Sequence, residues 1–253
     1  DPSLGDVLAQ LDHVATSDDY LGVVIYLDMP ELSLTQVETL RAAIEDCRER
    51  GKKVFTFAES YGLTDYLLAS AGDLVLLQHK GDVDLSGLGF EEMYLAGLFE
   101  MIGVQADLLQ VGKFKGADEP MTRKGPSEAW SQNMELLLDD LYAQVVDPIA
   151  ASRGMTREAF EAVMRDSWTM TDENYLRRGV VDRLVDRDMI EVTEVEFGDD
   201  FIWDEHMGRT PAAAMNMDNP FALFRVLFQE PTAKARRDSI AVVHARGAIS
   251  SGD

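Results

Sequence analysis

Gly22-Val23-Val24-Ile25-Tyr26-Leu27 is a short, unbroken apolar stretch, rich in β-branched and aromatic residues and closed by Asp28. It is too short for a helix and does not alternate, so it reads as a strand buried on both faces of a parallel sheet. Ahead of it, Leu4, Val7, Leu8, Leu11 and Val14 recur at helical spacing. Behind it, Ser33-Leu34-Thr35-Gln36 has the capping-box form and opens a helix with Leu34, Val37, Leu40, Ile44 and Cys47 on one face. That helix stops at Gly51, and a second strand, Val54 to Phe57, follows at once. Helix, strand, helix, strand with crossover-sized spacing predicts a largely parallel α/β sheet.

The alternation continues. A short helix over Tyr66 to Ala71 precedes a strand at Leu74-Val75-Leu76-Leu77. The Gly-rich stretch Gly81 to Gly89 then leads to a helix holding Met93, Leu95, Leu98 and Met101. Ala106 to Val111 reads as another strand. The loop from Gly112 to Pro126 leads into a long helical arm with Trp130, Met134, Leu137, Leu138, Leu141, Val145 and Ile149 on one face. Thr156 is placed to cap a helix containing Phe160, Val163 and Met164. These elements define a domain over residues 1–193. Residues 194–237 turn acidic, Met-rich and Pro-punctuated and read as a connector. Residues 238–253 read as the start of a truncated second domain, whose opening strand, Ser239 to His244, has no partner of its own there.

Composition excludes whole classes. The 253 residues carry a formal charge of −23, the reverse of the clustered Lys and Arg that a phosphate-facing surface needs, so no nucleic acid is expected as a partner. Cys47 is the single cysteine and lies on the apolar side of its helix, the place of a small buried residue. No apolar run is long enough to span a bilayer. The four histidines are scattered and no HExxH is present, so neither a metal nor a cofactor is implied. GxSxG, GxxxxGK[ST] and a strand-linked GxGxxG are missing too.

Among residues that could carry chemistry, Ser33 is explained as an N-cap, and Ser60 has no base near it in sequence. The adjacent acids Glu91-Glu92 and Asp199-Asp200 read as solvated surface in so acidic a chain. Lys115 remains, in Val111-Gly112-Lys113-Phe114-Lys115-Gly116-Ala117-Asp118-Glu119-Pro120. By position it is a solvent-facing loop residue.

That stretch resembles the Val-Gly-x-aromatic-Lys-small-Ala-x-Glu-Pro motif of the signal peptide peptidase A family, of the long, duplicated type. Gly51-Lys52-Lys53-Val54, Tyr66-Leu67-Leu68-Ala69-Ser70-Ala71 and Gly81-Asp82-Val83-Asp84-Leu85-Ser86-Gly87 resemble further family segments in the same order. So do Trp168-Thr169, Arg178-Gly179-Val180-Val181-Asp182 and the stretch Ile240 to Ile249. The resemblance implies a Clp-protease/crotonase-like fold of repeated ββα units, with this chain as the N-terminal half. It further implies a Ser/Lys dyad in which Lys115 is the general base and the second half supplies the serine. The segment aligned with the family's nucleophile turn reads Ser60-Tyr61-Gly62-Leu63-Thr64-Asp65, with Leu63 near the serine's place, so this stretch alone is expected to be inactive.

A lysine in water holds its proton to a pH of about 10.4, so such a base works near neutrality only when burial or neighbouring positive charge favours its neutral form. Lys113, Arg123 and Lys124 would favour it and Asp118 and Glu119 would oppose it. The family's partners are apolar signal-peptide or unfolded peptide substrates and further copies in a homo-oligomer. The resemblance also implies the extracytoplasmic face of the bacterial cytoplasmic membrane, with anchoring through a segment not contained in this chain. Two other readings compete: a non-catalytic scaffold of the same fold, and a crotonase-type acyl-CoA enzyme, which the lysine motif argues against.

Overall fold

The computed structural model describes residues 3–109, 111–186, 189–198, 200–204 and 238–248. The chain divides into two compact units, one formed by residues 1–85 with 149–253 and the other by 86–148.

The first unit opens with α1 (Leu4–Thr16), β1 (Tyr20–Glu31), α2 (Leu34–Glu49), β2 (Lys53–Tyr61), α3 (Leu63–Ala69) and β3 (Leu74–Val83). Ser33 begins α2 as a capping box: its Oγ accepts from the Gln36 N–H, and the Gln36 side chain accepts from the Ser33 N–H at 2.8 Å. After the second unit the chain returns through α7 (Arg157–Asp166), capped by Thr156 Oγ1, and α8 (Asp172–Arg177). It then forms β4 (Arg183–Val185), α9 (Ile190–Phe197), β5 (Ile202–Asp204) and β6 (Ser239–Ala248).

The six strands of the described residues form one parallel sheet in the order β4-β3-β2-β1-β6-β5. The α/β class and the parallel sheet are as the alternation predicts. Two boundaries differ. β6 does not wait for a partner: it lies beside β1 with Val24 opposite Val242 and Tyr26 opposite His244. α9 and β5 also join this unit, so residue 193 does not divide the described residues. The remainder of the expected connector, residues 205–237, lies outside the described residues.

Val24, Tyr26, Phe55, Phe57, Leu76 and Ile240 build one buried sheet face, against which Val192 of α9 packs. Phe197 at the end of α9 sits on Phe55 with ring centroids 5.2 Å apart. Gly22 permits this closure, since a Cβ there would lie 2.3 Å from the Lys53 carbonyl oxygen and 2.9 Å from the Phe197 ring. Beside the sheet, α1 and α2 bury Val7, Leu11, Val14, Val37, Leu40 and Ile44. Cys47 is fully buried, with its thiol donating to the Leu11 carbonyl at 3.4 Å, and burial pushes its pKa up to about 11. It is an inert core thiol, as its helix position predicts.

A polar lock holds the return of the chain. Both Asp182 carboxylate oxygens accept from the Arg153 guanidinium, at 2.8 and 2.9 Å, and Asp182 also accepts from the Val75 N–H at 2.7 Å. Tyr66 on α3 donates to the Val180 carbonyl at 2.6 Å.

The second unit contains α4 (Ala96–Met101), α5 (Glu119–Thr122) and most of α6 (Glu128–Ser152), the predicted long arm, which enters the first unit just after Pro148. Met93 and Leu95 precede α4 instead of lying within it. The strand expected over Ala106 to Val111 is not seen among the described residues of that range, 106–109 and 111. Leu108 is 50% exposed and Leu109 95%, and a lone strand would leave its backbone N–H and C=O groups without partners.

Candidate active site

In a parallel sheet, the loops beyond the C-terminal strand ends are the ordinary location of a site, above all where the strand order reverses. Here the sequence order is broken between β1 and β6, without a change in the direction in which the strands are laid down. Tyr26 and His244 meet at that seam, ring centroids 5.4 Å apart, and Tyr26 Oη donates to Glu59 Oε1 at 3.1 Å. The next strand, β2, runs into α3, whose first residue is Leu63 with a buried side chain. Leu63 carries no hydroxyl. Asp65, in the same helix turn, accepts from the Gly62 N–H at 3.3 Å, and burial pushes its carboxyl pKa up against that hydrogen bond.

Lys115 belongs to the other unit, in a stretch without helix or strand. Gly112 supplies the left-handed conformation (φ +105°) that starts the turn, and the Lys115 N–H donates to the Gly112 carbonyl at 3.3 Å. The Lys115 side chain is exposed, and its ammonium has no ion-pair partner among the described residues. Of the neighbouring cations, Lys124 pairs with Glu100 at 2.5 Å, and Lys113 Nζ lies 5.3 Å from the Phe114 ring centroid.

One residue beyond Lys115 the chain is buried. Gly116 abuts Trp130, and a Cβ on it would fall 2.2 Å from Trp130 Cδ1. The Glu119 N–H donates to the Gly116 carbonyl at 3.0 Å, and the Glu119 side chain is 5% exposed. Its carboxylate accepts from the Ser127 N–H at 2.7 Å and from Ser127 Oγ at 2.5 Å, with Arg123 Nε farther away at 3.8 Å. Sequence reasoning treated Glu119 only as a charge opposing a neutral lysine, whereas its carboxylate is engaged by Ser127. The signal that could have exposed this was Ser127 directly before a helical pattern, an N-cap position with a second donor to spare.

A cavity of about 200 Å³ opens beside β4, lined by residues including His79, Arg183, Asp186 and Glu191, and another of about 370 Å³ lies along α4 and α5. Neither is lined by Lys115. Ser33 is consumed by its cap, and Glu92 accepts from Tyr94 Oη at 2.8 Å. Asp199 and His206 lie outside the described residues. No helix among the described residues is long and apolar enough to cross a membrane.

With this geometry in view, comparison with known proteins is decisive about kinship. Peptidase family S49 matches the chain over residues 46–195, which takes in α3, the Lys115 loop and the Asp182 lock. The chain belongs to peptidase family S49. Among S49-like relatives, the chloroplastic serine protease SPPA of Arabidopsis thaliana is 23% identical over 239 residues, covering 90% of this chain and 32% of that protein. Protease 4 of Haemophilus influenzae and Protease 4 of Salmonella typhi are each 27% identical over 154 residues, covering 60% of this chain and 25% of theirs. The chain therefore spans between a quarter and a third of the length of these relatives. The single parallel sheet with its flanking helices agrees with the S49 fold expected from the resemblance.

Proposed function

We propose that this chain is the lysine-bearing part of an S49 serine endopeptidase of the Ser/Lys type, which degrades remnant signal peptides. In this reading Lys115 is the general base, and the nucleophilic serine comes from the second half of a longer protein. The observation that carries the reading is the S49 match over residues 46–195, which contains the Lys115 motif; there Lys115 is an exposed amine without an ion-pair partner among the described residues, and the next residue is buried. A lysine amine serves as a base where another surface covers and dehydrates it. Leu63 at the start of α3 supports a hydroxyl that comes from elsewhere.

Once covered, the neutral Lys115 amine takes the proton of the serine hydroxyl as its oxygen attacks the peptide carbonyl. The resulting lysine ammonium then returns that proton to the leaving amine as the C–N bond breaks, giving an acyl-enzyme. Water, deprotonated by the same lysine, attacks the acyl carbonyl, and the lysine ammonium returns that proton to the serine oxygen as the ester bond breaks, while backbone N–H groups hold the oxyanion. Apolar, extended peptides suit such a site. The apolar side chains exposed over residues 86–148 support assembly of further copies through that unit. Localisation at the extracytoplasmic face of a bacterial membrane is part of the same reading.

The test uses the full-length protein with a serine-directed fluorophosphonate probe and a peptide substrate. Wild type should label and cleave, residues 1–253 alone should not label, and Lys115→Ala should lower turnover by at least about 100-fold. Undiminished turnover in folded Lys115→Ala would overturn the assignment. A full-length protein that neither labels nor cleaves would leave the scaffold reading in its place.

A further inference from the structure

A general base on a loop has to be held within a fraction of an ångström of its working place, and flexible backbone does not do this by itself. The Lys115 stretch is irregular from Gly112 to Ala117, so the groups that fix it are tertiary. Four contacts close into a ring that begins at the residue after the lysine. The Gly116 carbonyl accepts from the Glu119 N–H. The Glu119 carboxylate accepts from both donors of Ser127. Ser127 Oγ accepts from the Trp130 N–H at 3.1 Å, which is N-cap geometry at the start of α6. The Trp130 ring then returns to Gly116, within 2.2 Å of where a Cβ would stand.

The link that decides this ring is an ionisable one. A buried carboxylate is expensive to desolvate unless charge-assisted hydrogen bonds replace its water. Glu119 is satisfied chiefly by Ser127, because its nearest cation, Arg123, is half exposed and 3.8 Å away. An apolar side chain could fill the same space without that penalty, but it could not hold a serine N–H and a hydroxyl in one fixed direction.

We propose that Glu119 is a positioning residue for Lys115: its carboxylate ties the backbone beside the lysine to the first turn of α6 and so sets where the amine points. This rests on Lys115 being the general base. Glu119 touches neither substrate nor the proton in transit, so its removal should act on kcat and leave substrate binding alone.

The experiment compares Glu119→Ala, Glu119→Gln, Ser127→Ala and Lys115→Ala in the full-length protein, with active sites counted by fluorophosphonate titration. Glu119→Ala should lower kcat per titrated site by about 10- to 100-fold with KM within about twofold, the scale of a misplaced catalytic group. Glu119→Gln, which keeps an acceptor oxygen, should recover most of that loss, and Ser127→Ala should fall between the two. A purely structural role predicts fewer titratable sites with unchanged kcat per site in all three, and that result overturns the proposal. Should Glu119→Ala not fold, full kcat per site in Ser127→Ala overturns it equally. Lys115→Ala separates the two claims. If it retains turnover, the general-base reading itself falls. If it abolishes turnover while Glu119→Ala keeps full kcat, only the positioning role falls.

Discussion

The two units treat apolar side chains in opposite ways. In the sheet-bearing unit, Val23, Val54, Phe57, Val75, Leu76 and Ile240 are essentially unexposed, each covered by a neighbouring strand or helix of the same chain. Over residues 86–148, Met93, Met101, Leu109, Val111 and Leu136 are 70% exposed or more, and Leu108 and Phe114 half exposed. Hydrophobic composition therefore does not distinguish the two; the presence of a partner does. One unit is held by a large core of its own, and the other carries most of the exposed large apolar side chains.

The largest effect should come from the same truncation made on both sides. Leu76→Ala removes a fully buried side chain from the sheet core and should cost about 2–5 kcal/mol, read as a drop in the denaturant midpoint. Leu109→Ala should stay within about 0.5 kcal/mol. Equal losses at the two positions would break the comparison. Leu109→Glu sharpens it: if the exposed surface joins copies of the chain, light scattering on the full-length protein should show a smaller assembly with the unfolding midpoint preserved.

The same contrast explains what could be read from the residues alone. The strands at Val23 and Val54, the capping boxes at Ser33 and Thr156 and the burial of Cys47 are written in local patterns, and each pattern is completed by a neighbour within the unit. Leu108, Leu109 and Val111 have strand-like composition as well, but a strand forms only beside another, and none lies alongside among the described residues. β6 erred in the other direction. Its partner β1 is more than two hundred residues earlier, and nothing local in either segment announces a parallel pairing. Lys115 entered through its motif and its exposure through its loop position; the Glu119–Ser127 tie did not, because a carboxylate's partner eight residues on leaves no periodic trace.

Gly116→Ala probes the tightly packed spot next to Lys115. Its Cβ would collide with Trp130, and overpacking of this kind costs about 1–3 kcal/mol. The loss should appear as faster proteolysis within residues 112–127, while hydrogen exchange in β1 and β2 stays at its wild-type rate. Loss of protection in the sheet strands would show that the two units do not unfold independently.

The smallest effect concerns a second acid, Asp65, whose setting differs from that of Glu119. Glu119 has two short donors, whereas Asp65 has one long one, the Gly62 N–H at 3.3 Å, and burial outweighs it and pushes the carboxyl pKa up. A folded-state pKa above the unfolded one means that the native state favours the protonated form. The associated stability is complete below the unfolded value and disappears as pH rises through the folded one. At neutral pH Asp65 therefore carries a charge the fold would rather not hold. Asp65→Asn keeps an acceptor for Gly62 and removes that charge, so its melting temperature should lie slightly above wild type at pH 7. The gap should close as the pH is lowered and Asp65 takes up its proton. A variant less stable than wild type at pH 7 would show that the ionised carboxylate supports the α3 N-terminus instead of straining it.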